Sequence, residues 1–130
     1  MTKYNLPLTY APKIPKVLSG ECTQTIRAGS KFKRHDMVSF HGWEGRPYRS
    51  KWSFKTRYFT IVAVEDIKIF KNGLELSWQE NLLPWASRIV DNIALLDGID
   101  PPTGVELGKV LLNMHKTPNE GLAAQIITWT

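Results

Sequence analysis

A short polar stretch near the start of the chain carries side chains that could recognise a nucleic acid. Thr23, Thr25 and Arg27 alternate with Gln24 and Ile26, and alternate side chains of an extended strand share one face. Two hydroxyls and a guanidinium on one face can donate hydrogen bonds to a phosphate or to a base edge. These three residues are therefore candidates for the lining of a binding cleft. The alternative is that they form the solvent face of a sheet.

The segment that follows combines cations with aromatic rings. Residues 27–57 hold nine lysines and arginines against two acids. Such cations neutralise phosphates, while exposed rings stack on unpaired bases at about 1–3 kcal/mol per base. Further binding residues are therefore predicted to be Lys31, Lys33, Arg34, Trp43, Arg46, Tyr48, Arg49, Lys51 and Lys55. In the alternative interpretation, Trp52 and Phe54 fill the interior and the cations stay in water.

The charge of the chain is divided unevenly along its length. Residues 1–60 carry twelve Lys or Arg against three acids, a net charge of +9, whereas residues 61–130 carry five against nine, a net charge of −4. A concentrated positive field attracts polyanions. The predicted partner is RNA, single-stranded nucleic acid or a nucleotide. An acidic protein partner is the alternative for the same basic surface.

Length and composition favour one cytoplasmic domain. A chain of 130 residues with 42% hydrophobic residues can bury its own core, and a single cysteine fits a reducing compartment. No apolar stretch is long enough for a membrane span or a signal peptide, so no membrane partner is expected. No phosphate-binding glycine loop or dinucleotide fingerprint occurs, and the spacing of His35 and His41 matches no zinc pattern, so neither a cofactor nor a metal is predicted.

Short elements of both kinds are predicted, which gives an α+β fold with strands at both ends. Strands are expected at 6–10, 23–27, 37–40, 57–64, 67–70 and 125–129, with a turn at Asn72-Gly73. A helical turn should begin at Pro12 and end at Gly20, and a helix should span 104–114. Ser77 and Glu80 form a capping-box pattern, which predicts a helix from Trp78 toward Asp91 with a break at Pro84.

Several motifs resemble those of the ASCH domain family and follow the family's order. They are KVLSGECTQTIR at 16–27, KFKRHDMVSF at 31–40, IALLDGID at 93–100 and the terminal ITWT. In the second motif, His35 stands where the family has the glycine of a Gly-Asp turn. The resemblance implies one domain over residues 1–130, a PUA-like mixed β-barrel with short helices, and a helical insertion around 72–90. It also implies an association with RNA binding and nucleotide chemistry.

The resemblance also raises the question of catalysis. Some bacterial members of the family look like small amidohydrolases acting on N4-acetylcytidine through a lysine, a threonine and a glutamate. The threonine corresponds to Thr25, but Cys22 and Asp97 stand at the other two positions. A thiol differs from an amine in charge and reach, and aspartate is shorter than glutamate, so the activity is not transferred. Cys22, Thr25 and Asp97 remain the catalytic candidates for a hydrolase of a modified nucleoside or, because another member is associated with ribonuclease activity, of RNA.

Overall fold

Strands and short helices are interspersed along the chain, and this confirms the predicted α+β class. The computed structural model describes residues 1–43, 52–79 and 81–130, with only the backbone of Trp52. The strands are β1 (Lys3–Pro7), β2 (Gln24–Ala28), β3 (Met37–Trp43), β4 (Trp52–Lys55), β5 (Phe59–Phe70), β6 (Gly73–Leu76), β7 (Leu83–Pro84) and β8 (Leu122–Trp129). The helices are a 3-10 turn (Ala11–Lys13), α1 (Ile14–Ser19), α2 (Arg88–Leu96) and α3 (Gly104–Met114).

One long strand organises the sheet. β5 pairs antiparallel with β8 over most of its length, with β3 near its start and with β6 near its end. β3 also pairs in parallel with β1 and antiparallel with β4, and β8 pairs with β2. β7 extends the far end of the sheet beyond β6. The two strands predicted at 57–64 and 67–70 are therefore one continuous strand.

The sheet is open, with a gap between β1 and β2. Among the described strands, no backbone pairing joins these two. A side chain bridges them instead, because the Arg27 guanidinium on β2 donates a hydrogen bond of 2.7 Å to the Pro7 carbonyl oxygen at the end of β1. The described pairings thus form an open mixed sheet rather than the closed barrel that the ASCH resemblance implies.

Two apolar cores lie on opposite faces of β8. Ile126 belongs to a core beneath α2 and α3, while its neighbour Ile127 belongs to a core with β1, β3 and α1. Successive side chains of a strand point to opposite faces, so one strand can supply both cores. α2 and α3 therefore cover one side of the sheet, while β1, β3 and α1 pack on the other.

The connection from β1 to β2 follows the predicted helical turn. Pro12 lies in the first turn of the 3-10 segment, and α1 ends at Gly20, whose φ of 84° is left-handed. Glycine adopts that conformation without steric cost, so α1 ends there. This segment places Lys13 in the interior beside the buried Val17.

The prediction of a helix from Trp78 toward Asp91 is wrong for the described residues. Residues 73–76 and 83–84 are strands, and α2 begins only at Arg88. Leu74 and Leu76 alternate and pair with the end of β5 across a tight turn, and Leu83 pairs with Leu74, so hairpin pairing of strands replaces the predicted helix. The Ser87 hydroxyl accepts a hydrogen bond from the Val90 amide and caps α2. Glu80, the other half of the supposed capping box, lies outside the described residues.

The turn before β3 has an unusual backbone. His35 has a φ of 78°, a conformation that favours glycine. The Asp36 carboxylate accepts hydrogen bonds from the Thr2 and Lys33 amides, which fixes the turn at the end of the sheet. Histidine thus occupies a position where the local geometry favours the glycine of the ASCH motif.

Candidate functional site

A cleft of about 340 Å³ opens at the gap between β1 and β2. Residues 7–10 form one wall, Thr25 and Arg27 of β2 form another, and the end of α3 supplies Met114 and His115. Lys13 and Asp97 also line it. The volume falls within the range of small-ligand sites, and side chains from distant parts of the sequence converge on it.

A buried ion pair lies in this cleft. Lys13 Nζ is 3.1 Å from Asp97 Oδ1, and the two side chains are 5% and 6% exposed. Asp97 is the C-cap of α2. Burial raises the pKa of Asp97, and the Lys13 ammonium and a hydrogen bond from Gln24 oppose that shift. The cleft therefore offers a cationic donor and a carboxylate acceptor side by side.

β2 brings two of the predicted binding residues to the cleft and leaves the third outside it. The Thr25 side chain is buried and belongs to the lining of the cleft. Arg27 is partly buried, with its guanidinium 5.9 Å from the centre of the Phe40 ring. Thr23 is exposed before the start of β2 and is not among the lining residues.

The base of the β3–β4 hairpin lies near Arg27. His41 pairs across the hairpin with Lys55 and packs edge-on against the Trp43 ring at 5.0 Å. Burial lowers the pKa of His41, with further contributions from the charges of Lys55 and Arg27. On the α3 side, burial and Arg27 likewise lower the pKa of His115. Arg27 thus lies between two histidines, His41 and His115. Each imidazole adds positive charge near Arg27 only when it is protonated.

Neither protein-family models, nor curated protein sequences, nor solved structures give a match to this chain. The site is therefore interpreted from its own side chains.

The structure describes only some of the remaining predicted binding residues. Lys31, Lys33 and Arg34 are exposed on the connection between β2 and β3 and do not line the cleft. Lys31 Nζ lies 5.1 Å from the centre of the Tyr4 ring, on the outer surface. Four further predicted residues, Arg46, Tyr48, Arg49 and Lys51, fall outside the described residues.

Cys22 lies behind the cleft rather than in it. Its side chain is 3% exposed, and its thiol contacts the carbonyl oxygens of Gln24 and Leu96 at 3.3 and 3.4 Å. Burial raises the pKa of the Cys22 thiol, although Lys13 acts in the opposite direction. A protonated, buried thiol is a poor nucleophile. Of the three catalytic candidates, only Thr25 and Asp97 line the cleft.

Sequence reasoning missed Lys13, Tyr10 and His115. Tyr10 lines the cleft, and its hydroxyl hydrogen-bonds the backbone of Asp100. A local signal existed for Lys13, which precedes the buried Val17 by four residues and therefore lies on the same side of a helical turn. The meeting of Lys13 with Asp97 depends on tertiary structure and has no such local signal.

Metal-binding clusters and membrane-spanning helices are both lacking in the part of the chain that the structure describes. There, no group of three or more His, Cys, Asp or Glu side chains is arranged to hold a metal ion. The helices of the same ranges include none with both the length and the apolar character needed to cross a membrane.

Proposed function

We propose that the chain binds RNA, single-stranded nucleic acid or a nucleotide in the cleft between β1 and β2. The observation that carries the proposal is the convergence of Thr25, Arg27, Lys13 and Asp97 on a cleft of about 340 Å³. A base edge presents donors and acceptors together, and the Lys13–Asp97 pair offers the complementary pattern. The Tyr10 ring at the wall is suited to stacking.

The phosphate of the ligand belongs at the Arg27 side of the cleft. Arg27 acts there together with Lys55 and with the protonated forms of His41 and His115, whose pKa values respond to the same charge. A guanidinium suits phosphate because its donors form a planar fork. The ring and the phosphate of one nucleotide would therefore occupy opposite ends of the cleft.

The ASCH resemblance supports this proposal in two respects. The T-x-T-I-R motif supplies Thr25 and Arg27 to the cleft, and the left-handed turn at His35 fits the family's glycine position. A PUA-like relationship of the chain belongs to the proposal.

Titration of a fluorescently labelled single-stranded oligonucleotide tests the function. Parent binding should weaken steeply with salt, because the logarithm of affinity falls by about 0.7 for each neutralised phosphate per logarithm of salt. Arg27→Gln should lower the affinity by about tenfold or more, since hydrogen bonds to charged groups contribute about 1.5–3 kcal/mol. Lys109→Gln on α3 removes the same charge away from the cleft and serves as the control.

Two outcomes would contradict the proposal. Equal oligonucleotide affinities for the parent and Arg27→Gln would show that the cleft does not bind the oligonucleotide. Absence of any oligonucleotide or nucleotide binding by the parent would favour the acidic protein partner for the basic surface.

A hydrolase is the second candidate function, and the buried pair favours it. Lys13 supplies an ammonium beside Asp97 even though the family's lysine position holds Cys22. Burial raises the pKa of the Asp97 carboxyl, which favours a role in proton transfer, and the Thr25 hydroxyl can position a substrate.

Incubation with N4-acetylcytidine and with RNA tests the hydrolase. Loss of turnover in Asp97→Asn, with Cys22→Ala unaffected, would support it. Equal turnover by Asp97→Asn and the parent would exclude Asp97 from proton transfer.

A further inference from the structure

A second concave surface lies between α2 and the sheet. This groove has a volume of about 370 Å³, and residues of β5, α2 and β8 line it together with Trp78, which follows β6. The groove shares no lining residue with the cleft between β1 and β2. The inference below therefore does not depend on the proposed function.

The groove exposes large apolar side chains. Trp78, Ile89 and Leu96 are 63%, 39% and 60% exposed. On α2, Ile89, Ile93 and Leu96 follow one another at helical spacing and form a stripe, while Val90 and Ala94 face the core. α2 thus has a second apolar face that the described residues leave uncovered. A clustered apolar patch of this kind marks an interaction surface rather than ordinary surface variation.

A carboxylate interrupts the apolar pattern at the groove. Ile69, Ile67 and Glu65 occupy alternate positions of β5 and so share a face. The two isoleucines lie in the core under the helices, whereas Glu65 lines the groove beside Ile126 of β8. Glu65 Oε1 is buried and has no hydrogen-bond partner among the residues that the structure describes.

An orphaned carboxylate oxygen among apolar side chains requires a donor. Leaving such an acceptor buried and unpaired costs about 1–3 kcal/mol. A charged donor satisfies a carboxylate better than a neutral one does. The occupant of the groove should therefore present a cation together with apolar surface.

We infer that the groove is a docking site for a protein segment that places a lysine or arginine beside apolar side chains. The cation pairs with Glu65, its aliphatic stem covers the Trp78 ring, and the neighbouring apolar residue packs on the α2 stripe. Charge complementarity supports a basic partner, because residues 61–130 carry five Lys or Arg against nine acids.

A second copy of the chain fits the groove less well. In a twofold dimer the same patch meets itself, so two Glu65 carboxylates would be buried in one interface without a cation between them. Like charges brought together in this way are destabilising. A heterologous basic segment has no such cost.

Selection from a phage-displayed library of random linear peptides tests the inference. Peptides enriched on the intact protein should contain Lys or Arg next to Leu, Ile or an aromatic residue. When they are resynthesised with a fluorescent label, Glu65→Gln and Trp78→Ser should each weaken their binding by about tenfold or more. Glu120→Gln removes an equal charge at an exposed turn and should bind as the parent does.

Three results would overturn the inference. One is that selection yields no consensus, or an acidic or uncharged one. Another is that Glu65→Gln binds the selected peptides as tightly as the parent. The third is a concentration-dependent dimer in sedimentation that Trp78→Ser dissociates, because a second copy would then cover the groove. A circular dichroism spectrum of Trp78→Ser that matches the parent's would show that the variant is folded.

Discussion

The cleft and the groove differ in whether a buried carboxylate has a cation beside it. In the cleft, Lys13 and Asp97 are nearly inaccessible but neutralise each other at 3.1 Å. In the groove, Glu65 has a buried oxygen without a partner in the described structure, surrounded by apolar side chains. The difference is that the chain itself places a cation beside the cleft carboxylate, whereas no ion pair of Glu65 occurs among the described residues and a partner would have to bring the cation.

α2 connects the two regions. Its outer stripe, with Ile89 and Leu96, forms a wall of the groove, and its C-cap, Asp97, lines the cleft. The Ile93 carbonyl oxygen accepts a hydrogen bond from Gln24 Nε2, which ties the helix to the strand that carries Thr25. The same nine-residue helix therefore serves both sites.

Separating the buried pair should have the largest effect on stability. Lys13→Met leaves the Asp97 carboxylate buried without its cation, so we expect the free energy of unfolding to fall by about 3–5 kcal/mol in urea titrations. The double variant Lys13→Met, Asp97→Leu should recover most of that loss, because no charge is then buried. An equally unstable double variant would contradict this account.

A surface pair provides the control for that prediction. Lys109 Nζ lies 3.9 Å from Glu106, and the lysine side chain is 68% exposed. Lys109→Ala should remain within about 0.5 kcal/mol of the parent. The contrast would attribute the effect at Lys13 to burial.

Removing the groove carboxylate should change stability in the opposite direction. Glu65→Met replaces an unpaired buried oxygen with apolar atoms, so we expect the free energy of unfolding to rise by about 1 kcal/mol in the same titrations. Glu120→Met at an exposed turn tests whether added apolar surface alone has this effect. A loss of stability in Glu65→Met would mean that the carboxylate is already satisfied, and the contrast with the cleft would disappear.

The cap of α2 should affect both regions by a smaller amount. Ser87→Ala removes the hydrogen bond to the Val90 amide, and helix caps of this kind contribute about 1 kcal/mol. Ser87→Asp should retain the cap and serves as the matched variant. Amide exchange should accelerate along 88–96 in Ser87→Ala, whereas unchanged exchange there would exclude a capping role.

The smallest expected effect is the dependence of stability on the protonation of the two histidines near Arg27. Burial lowers the pKa values of His41 and His115 below 6.5. As the pH falls, these histidines are therefore protonated in the unfolded chain at a higher pH than in the folded chain. Stability from these groups is present above about pH 6.5 and decreases as the pH falls toward their folded pKa values. Urea titrations between pH 7 and 5 check this slope, and the variant His115→Gln should flatten it.

Oligonucleotide affinity should change with pH in the reverse sense. Protonated imidazoles add positive charge beside Arg27, so affinity should increase over the same range in which stability decreases. An affinity that does not change between pH 7 and 5 would place the phosphate elsewhere.

The sequence predicted those elements whose local signals agree with their tertiary contacts. α3 spans the expected residues, because Thr103 caps it and its apolar residues have helical spacing. β2 was predicted from its alternation, and this brought Thr25 and Arg27 to the cleft. The start of α2 was missed because residues 83–84 form a short strand that pairs with β6, and a capping-box pattern contains no information about such pairing.

The cleft itself was only partly predictable. Thr25, Arg27 and Asp97 were candidates, but Lys13 meets Asp97 only after α1 and α2 pack on the same end of the sheet. Cys22 was a candidate from its position in a motif, whereas its burial depends on the packing of α1. Contacts between residues far apart in the sequence decide which candidates share a site, and a single sequence does not specify those contacts.

The left-handed turn at His35 sets a rule for substitution at that position. The backbone conformation, rather than the imidazole, is what the fold requires there, so glycine and asparagine should be the residues that natural variants carry most readily. Valine and isoleucine should be excluded because branching at Cβ makes this conformation costly. In descendants of this chain, position 35 should therefore vary within a narrow range of residue types even though its side chain is exposed.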